Sequence, residues 1–175
     1  EDLGLGILTF KESVPENRLG ISKEEYRFLA EVFIRFLARN YRWSSWRNDM
    51  TDKYFFESFP KARNLINFFD NFIGERDIDS KELMLNIKNF LISIGVCTTD
   101  GKDGYLLHAE YSQGKFESSI AIKTSEKDSV LRKCKCSRKY LQQLAQICFE
   151  CNQDIGNTEF NKTDNYYAKL ALNED

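Results

Sequence analysis

The chain has 175 residues, of which 42% are hydrophobic, 14% aromatic and 30% charged. This composition is typical of one globular domain with a sizeable core, and it excludes a largely disordered chain. The formal net charge of -2 excludes a surface that is basic throughout. Any binding to nucleic acid therefore needs a local basic patch.

The sequence also carries information about the compartment. It shows neither a secretory signal pattern nor a transmembrane run, so we expect no membrane partner. Five cysteines is an odd number, which fits reduced thiols in the cytoplasm or nucleus better than an extracellular disulfide framework. Because the first residue is Glu1 rather than Met, we expect a segment of a longer protein.

Three regions are predicted along the chain. Residues 1–20 contain glycine and proline without a sustained period and form an N-terminal arm, with one short strand from Leu5 to Phe10. Residues 21–156 form a single α+β domain. Residues 157–175 are a polar C-terminal tail with a few apolar residues, which we expect to fold back.

The first helix begins at a capping box. Ser22 and Glu25 have the S-x-x-E spacing, in which the hydroxyl and the carboxylate each accept from a backbone amide of the first turn. Apolar residues then recur every three or four positions to about Tyr41, which predicts one buried face.

Two further amphipathic helices follow. The second begins at Pro60 and ends at Gly74. The third is capped by Asp79 together with Glu82 and ends at Gly95. In both, the apolar spacing and the terminal signals agree.

From Tyr105 the period changes to two, which predicts a β-hairpin around a turn at Gln113 and Gly114. The predicted facing pairs lie on one apolar face: Tyr111 with Phe116, Leu107 with Ile120, and Tyr105 with Ile122.

A closing helix is predicted last, capped by Ser137 and running through Leu141 and Leu144 to Gly156. The fold class is therefore α+β and mainly helical. The order of elements from Asp79 to Lys123, a helix, a glycine and a hairpin, is similar in general layout to winged-helix modules. No signature residues of that family accompany it.

Four of the five cysteines form a CxC, Cys134 and Cys136, and a CxxC, Cys148 and Cys151. Our first interpretation is structural thiols, because the CxxC falls on the apolar stripe of the predicted closing helix and free cysteine behaves as a small hydrophobe. This interpretation predicts no cofactor. The alternatives are a zinc site with four thiolate ligands and, in third place, redox catalysis.

Two basic surfaces are candidates for binding. The tryptophan–arginine surface combines guanidinium and indole groups that can anchor a protein partner, and it consists of Arg35, Arg39, Arg42, Trp43, Trp46 and Arg47. The basic cluster can attract phosphate and consists of Arg132, Lys133, Lys135, Arg138 and Lys139. The structural alternative is that these charges are solvated and that the tryptophans fill the joint between the first two helices.

The polar face of the predicted hairpin places Glu110 opposite Glu117, with His108 on the same side. This trio could bind a divalent cation, while Lys115 and Lys123 could instead neutralise the carboxylates. An exposed edge with incidental charge is the simpler interpretation.

No nucleophile elbow, Walker loop, HExxH or dinucleotide-binding glycine pattern is present, so the sequence gives little support for an enzyme. We predict a non-catalytic protein-interaction or regulatory domain that uses the tryptophan–arginine surface. The first alternative is a nucleic-acid-binding module that uses the basic cluster. The second is a metal-dependent, nuclease-like enzyme at the hairpin.

Overall fold

The computed structural model describes the chain in these ranges: residues 6–16, 19–39, 62–99, 105–107, 110–112, 115–117, 119–124, 131–141, 144, 146–155 and 159–160. Its three helices are α1 (Lys23–Arg39), α2 (Ala62–Ile73) and α3 (Ser80–Ser93). Its nine strands are β1 (Gly6–Phe10), β2 (Cys97–Thr99), β3 (Tyr105–Leu107), β4 (Glu110–Ser112), β5 (Lys115–Glu117), β6 (Ile120–Thr124), β7 (Leu131–Lys133), β8 (Lys139–Leu141) and β9 (Glu159–Phe160). The described residues therefore form a mixed α+β fold with substantial helix.

The predicted capping box starts α1. The Ser22 amide donates to the Glu25 carboxylate at 2.8 Å, and the Glu25 amide donates to the Ser22 hydroxyl at 3.1 Å. Arg76 also contacts this carboxylate, with 2.8 Å between its guanidinium and Glu25 Oε1. The box thus joins the start of α1 to the turn that follows α2.

The predicted C-terminal ends of α2 and α3 and the predicted start of α3 are confirmed, whereas Pro60, the predicted start of α2, lies outside the described residues. Asp79 caps α3 by accepting from the amides of Lys81 and Glu82. Gly74 and Gly95 follow the two helices with φ of 62° and 72°, a left-handed conformation in which glycine avoids the steric cost of a Cβ.

The apolar faces of the helices meet in one buried cluster. Phe36 of α1 and Phe69 of α2 are buried, and Ile120 of β6 is partly buried against the same cluster. In the described residues, α1, α2 and α3 thus share one buried cluster with β6 at its edge. Cys134 and Cys148 belong to this cluster too, which brings the cysteine region onto the helices.

The hairpin prediction is correct for the strand pairs next to the predicted turn and wrong beyond them, and the turn residues Gln113 and Gly114 lie outside the described residues. Strands β4 and β5 pair as predicted, with Tyr111 opposite Phe116. However, Leu107 pairs with Cys97 of β2, and Ile120 pairs with Phe10 of β1. The predicted long hairpin is thus replaced by three short antiparallel pairs. Strands β1 and β2, which lie before and after the three helices in the sequence, pair with β6 and β3.

Ile122 illustrates the same correction, since it pairs with Leu8 of β1 and not with Tyr105. Tyr105 pairs instead with Thr99 of β2. The described strands thus include β2, which the sequence analysis did not anticipate.

The closing helix is also wrong for the described residues. Residues 139–141, at its predicted start, form strand β8, which pairs with β7. Residues 149–151 form a turn. The helical spacing of the apolar residues is real, but Cys148 is buried from a loop and Leu144 is 55% exposed.

Parts of both terminal regions join this fold. Strand β1 lies within the predicted arm, and its Phe10 is buried in the core. Strand β9 lies in the predicted tail and pairs with β7, in agreement with a tail that folds back. None of the helices in the described part of the chain is long and apolar enough to cross a membrane.

Candidate metal centre

The CxC motif lies in a tight turn after β7. The Cys134 amide donates to the Arg138 carbonyl at 2.8 Å, and the Ser137 amide donates to the Cys134 carbonyl at 2.9 Å. Ser137 follows the second cysteine and has φ of 71°, so it reverses the chain instead of capping a helix. We call residues 134–138 the first cysteine loop.

The CxxC motif forms a second loop on the same plan. The Cys148 amide donates to the Gln153 carbonyl at 2.9 Å, and the Asn152 amide donates to the Cys148 carbonyl at 2.7 Å. Asn152 directly follows Cys151 and has φ of 56°, a conformation that asparagine tolerates better than most residues. We call residues 148–153 the second cysteine loop.

The two loops bring their four sulfur atoms together. Cys134 Sγ lies 3.4 Å from Cys151 Sγ, and Cys136 Sγ lies 3.6 Å from Cys148 Sγ. All four sulfurs lie within 4.8 Å of one another, and all five cysteines of the chain are free thiols. The four cysteines could therefore hold a metal ion such as zinc.

The spacing of the sulfurs fits zinc. With a Zn–S bond of about 2.3 Å, the sulfurs of a tetrahedral site are about 3.8 Å apart. The separations of 3.4 and 3.6 Å are close to that value and well above the roughly 2.05 Å of a disulfide bond. The donor set, four thiols and no carboxylate, also favours a soft or borderline ion over calcium or magnesium.

The four thiols differ in exposure and acidity. Cys134 and Cys148 are buried, Cys151 is half-buried and Cys136 is exposed. Burial raises the pKa values of Cys148 and Cys151. Burial acts in the same direction at Cys136, but the backbone of Arg138 and the neighbouring thiols outweigh it, so the pKa of Cys136 is lowered. The centre thus has a buried side and a side open to solvent.

Tyr140 lies against the buried side. It is fully buried on β8, and its hydroxyl oxygen lies 2.8 Å from Cys148 Sγ. Burial, followed by the Cys148 hydrogen bond, raises the pKa of Tyr140 well above its ordinary value. The phenol therefore stays protonated at neutral pH.

Helix α1 contacts the second cysteine loop through its last turns. The Arg39 guanidinium pairs with Glu150 at 3.0 Å and lies over the Phe149 ring, 4.5 Å from its centroid. Arg35 lies over the same ring at 5.3 Å. Phe149 follows Cys148 directly, so these contacts hold the loop against α1.

Helix α2 contacts the same loop from its first turns. The Asn64 side chain donates to the Glu150 carbonyl at 3.1 Å, and the Asn152 side chain donates to the Asn64 carbonyl at 3.2 Å. Phe68 meets Phe149 edge-on, with 6.4 Å between ring centroids. The second loop is therefore held against both α1 and α2.

The tryptophan–arginine surface is described only at its two arginines in α1. Arg35 is 4% exposed, and its Nε donates to the Glu31 carbonyl at 3.2 Å, so it is not part of an exposed surface. Arg39 is engaged with Glu150. The remaining candidates, Arg42, Trp43, Trp46 and Arg47, lie outside the described residues.

The basic cluster surrounds the first cysteine loop. Lys133, Lys135 and Arg138 are exposed, and Arg132 is half-buried. Lys139 begins β8. The structure thus brings the basic cluster and the cysteines together at one end of the β7–β8 pair.

The alternative metal site at the hairpin rests partly on His108, which lies outside the described residues. The predicted pairing of Glu110 with Glu117 is confirmed. Lys123 lies on β6, where its partner is Ile7 of β1. In the part of the chain that the structure describes, the four cysteines form the one group suited to a metal ion.

No family model, no curated protein and no solved structure matches this chain. The winged-helix layout is accordingly unsupported by any structural neighbour. The geometry of the cysteine loops is therefore the main guide to function.

The four cysteines stand out in the sequence, whereas the groups that support them, Tyr140, Phe149 and Asn64, do not. A local signal for the loops was present: each pair of cysteines is followed by a residue suited to a turn, Ser137 or Asn152. The partners on α1 and α2 are more than 80 positions distant in sequence and had no such signal.

Proposed function

We propose that the protein is a non-catalytic interaction module in which one zinc ion holds the two cysteine loops together. The observation that carries this proposal is the convergence of four sulfurs within 4.8 Å from two loops of the same plan. The ion would be held by Cys134, Cys136, Cys148 and Cys151. When bound, it would supply a structural cross-link between β7, β8 and the helices.

The donor set supports a structural rather than a catalytic role. A catalytic zinc keeps one coordination position for water or substrate, whereas four protein ligands fill a tetrahedral site. With four thiolates the centre is closed. The buried positions of Cys134 and Cys148 within the core cluster also suit a cross-link more than a reaction site.

The direct test is metal content. We expect protein purified without added chelator to carry about one zinc per chain. Chelation should lower its stability, because the free energy of binding a structural zinc contributes directly to the free energy of folding. Elemental analysis and a thermal melt with and without chelator measure both effects. The proposal would be contradicted by a protein that contains no metal and whose unfolding temperature changes with neither zinc nor chelator.

The partner of the module belongs to the same proposal. A protein partner bound through the tryptophans Trp43 and Trp46 is supported by sequence alone, because Arg35 and Arg39 of the same surface are engaged inside the fold. Fewer residues therefore support the tryptophan–arginine surface than the sequence suggested.

A second candidate function is binding of nucleic acid by the basic cluster. The observation that favours it is the exposure of Lys133, Lys135 and Arg138 on the first cysteine loop and its adjoining strand. A fixed loop presents its charges to phosphate with little further loss of conformational entropy.

This candidate predicts strong salt dependence. If these three side chains each neutralise one phosphate of duplex DNA, the logarithm of the association constant should fall against the logarithm of salt concentration with a slope of about -2.7. Replacing the three with alanine should remove this binding, while Lys81→Ala, an exposed lysine on α3, should leave it intact. Fluorescence anisotropy with a labelled duplex measures both. Absence of binding at low salt, or binding insensitive to salt, would eliminate the candidate.

A further inference from the structure

We propose that the Tyr140 hydroxyl is a positioning group of the metal centre, which donates a hydrogen bond to the metal-bound sulfur of Cys148 and strengthens zinc binding. This inference rests on the proposed function, since it assigns a role to a residue beside the four ligands. It extends the centre from the cysteine loops to strand β8.

The geometry of the contact is well defined. Tyr140 Oη lies 2.8 Å from Cys148 Sγ, and the Tyr140 side chain is fully buried. The ring is held on one side by Phe149, which it meets edge-on with 5.4 Å between centroids. The Arg39 guanidinium lies 5.9 Å from the same ring. The hydroxyl is therefore aimed at the sulfur by packing.

The direction of the hydrogen bond follows from the chemistry of the ligand. A cysteine that binds zinc is a thiolate and carries no proton, so the phenol must be the donor. Because the pair is buried, water does not compete for the sulfur and the hydrogen bond acts at low local dielectric. Groups of this kind orient metal ligands and typically change metal affinity by about 10- to 100-fold when removed.

The centre then has two unequal sides. Cys148 is buried and held by Tyr140, whereas Cys136 is exposed on the first cysteine loop. We infer that Tyr140 holds Cys148 in its ligand position before the ion arrives. Binding of zinc then requires mainly the ordering of the exposed side.

Tyr140→Phe tests this role, because it removes the hydroxyl and keeps the ring. We expect zinc affinity to fall by about 10- to 100-fold. In protein loaded with Co²⁺ as a spectroscopic probe, the sulfur-to-cobalt charge-transfer band should shift in energy because one sulfur loses a hydrogen bond. Competition with a chelator of known affinity gives the first quantity, and the absorption spectrum of the cobalt protein gives the second.

Tyr26→Phe is the matched control. Tyr26 is also fully buried, and its hydroxyl donates to Asn86 at 2.7 Å within the helical core. We expect this variant to lose a hydrogen bond and some stability while its zinc affinity and cobalt spectrum stay unchanged. If Tyr140→Phe matches the unmodified protein in both quantities, or if both variants change them equally, the inference is overturned. Failure of the unmodified protein to bind zinc would instead overturn the proposed function.

Discussion

Replacing Cys148 with alanine should reduce zinc affinity by at least about 100-fold, more than the loss of a group that only supports a ligand. The substitution leaves three sulfurs, and it also removes the hydrogen-bond partner of Tyr140. Because the ion joins two loops, we expect faster amide exchange in both of them, while the α1 and α3 amides remain protected. Chelator competition measures the affinity, and hydrogen exchange locates the region that is loosened.

Cys97→Ala is the matched control for this prediction. Cys97 is the fifth cysteine, is 3% exposed and lies on β2, and burial raises its pKa to about 12. It should therefore remain a thiol at neutral pH and take no part in metal binding. We expect this variant to retain one zinc per chain despite a packing loss. Equal zinc binding by Cys148→Ala and the unmodified protein would show that the cluster is core packing alone.

Replacing Phe68 with alanine should lower the free energy of unfolding by about 3–5 kcal/mol, the usual cost of deleting a large aromatic side chain from a core. Phe68 is fully buried and contacts the rings of Phe28, Phe69, Phe72 and Phe149. It therefore joins the helices to the second cysteine loop. Denaturant unfolding measures the change through the midpoint of the transition.

Leu85→Ala provides the comparison, since Leu85 on α3 is 49% exposed. A substitution at such a site should change the free energy of unfolding by no more than about 0.5 kcal/mol. A similar small effect for Phe68→Ala would mean that α2 and the second cysteine loop do not share one core.

The helices could be predicted because their signals are local. The Ser22 box, the Asp79 cap and the two glycines that end α2 and α3 each act within a few residues of the helix end that they define. Such signals operate in any tertiary context. The pairing of β4 with β5 has the same local character, and Tyr111 lies opposite Phe116 as predicted.

The strands beyond that turn depended on distant partners. Ile120 belongs to a segment whose apolar residues alternate as in a hairpin strand, yet it pairs with Phe10, 110 positions earlier in the chain. A period of two indicates which face of a strand is buried but not which strand lies beside it. Register could therefore be predicted only next to the turn.

The prediction of a closing helix in the cysteine region was wrong for a related reason. Apolar residues from Leu141 onward match a helical period, and of the four cysteines interpreted as structural thiols Cys134 and Cys148 are buried whereas Cys136 is exposed. The period did not distinguish a helix from a strand followed by a loop, because both can bury the same side chains. Loops form here because Ser137 and Asn152 adopt the left-handed backbone conformation and because α1 and α2 contact the second loop.

X-ray absorption at the zinc edge of the purified protein tests the central claim most directly, because it counts the atoms bound to the ion. The account predicts four sulfur neighbours at about 2.3 Å and no nitrogen or oxygen ligand. A protein without zinc, or a first coordination shell with nitrogen or oxygen in place of sulfur, would contradict it.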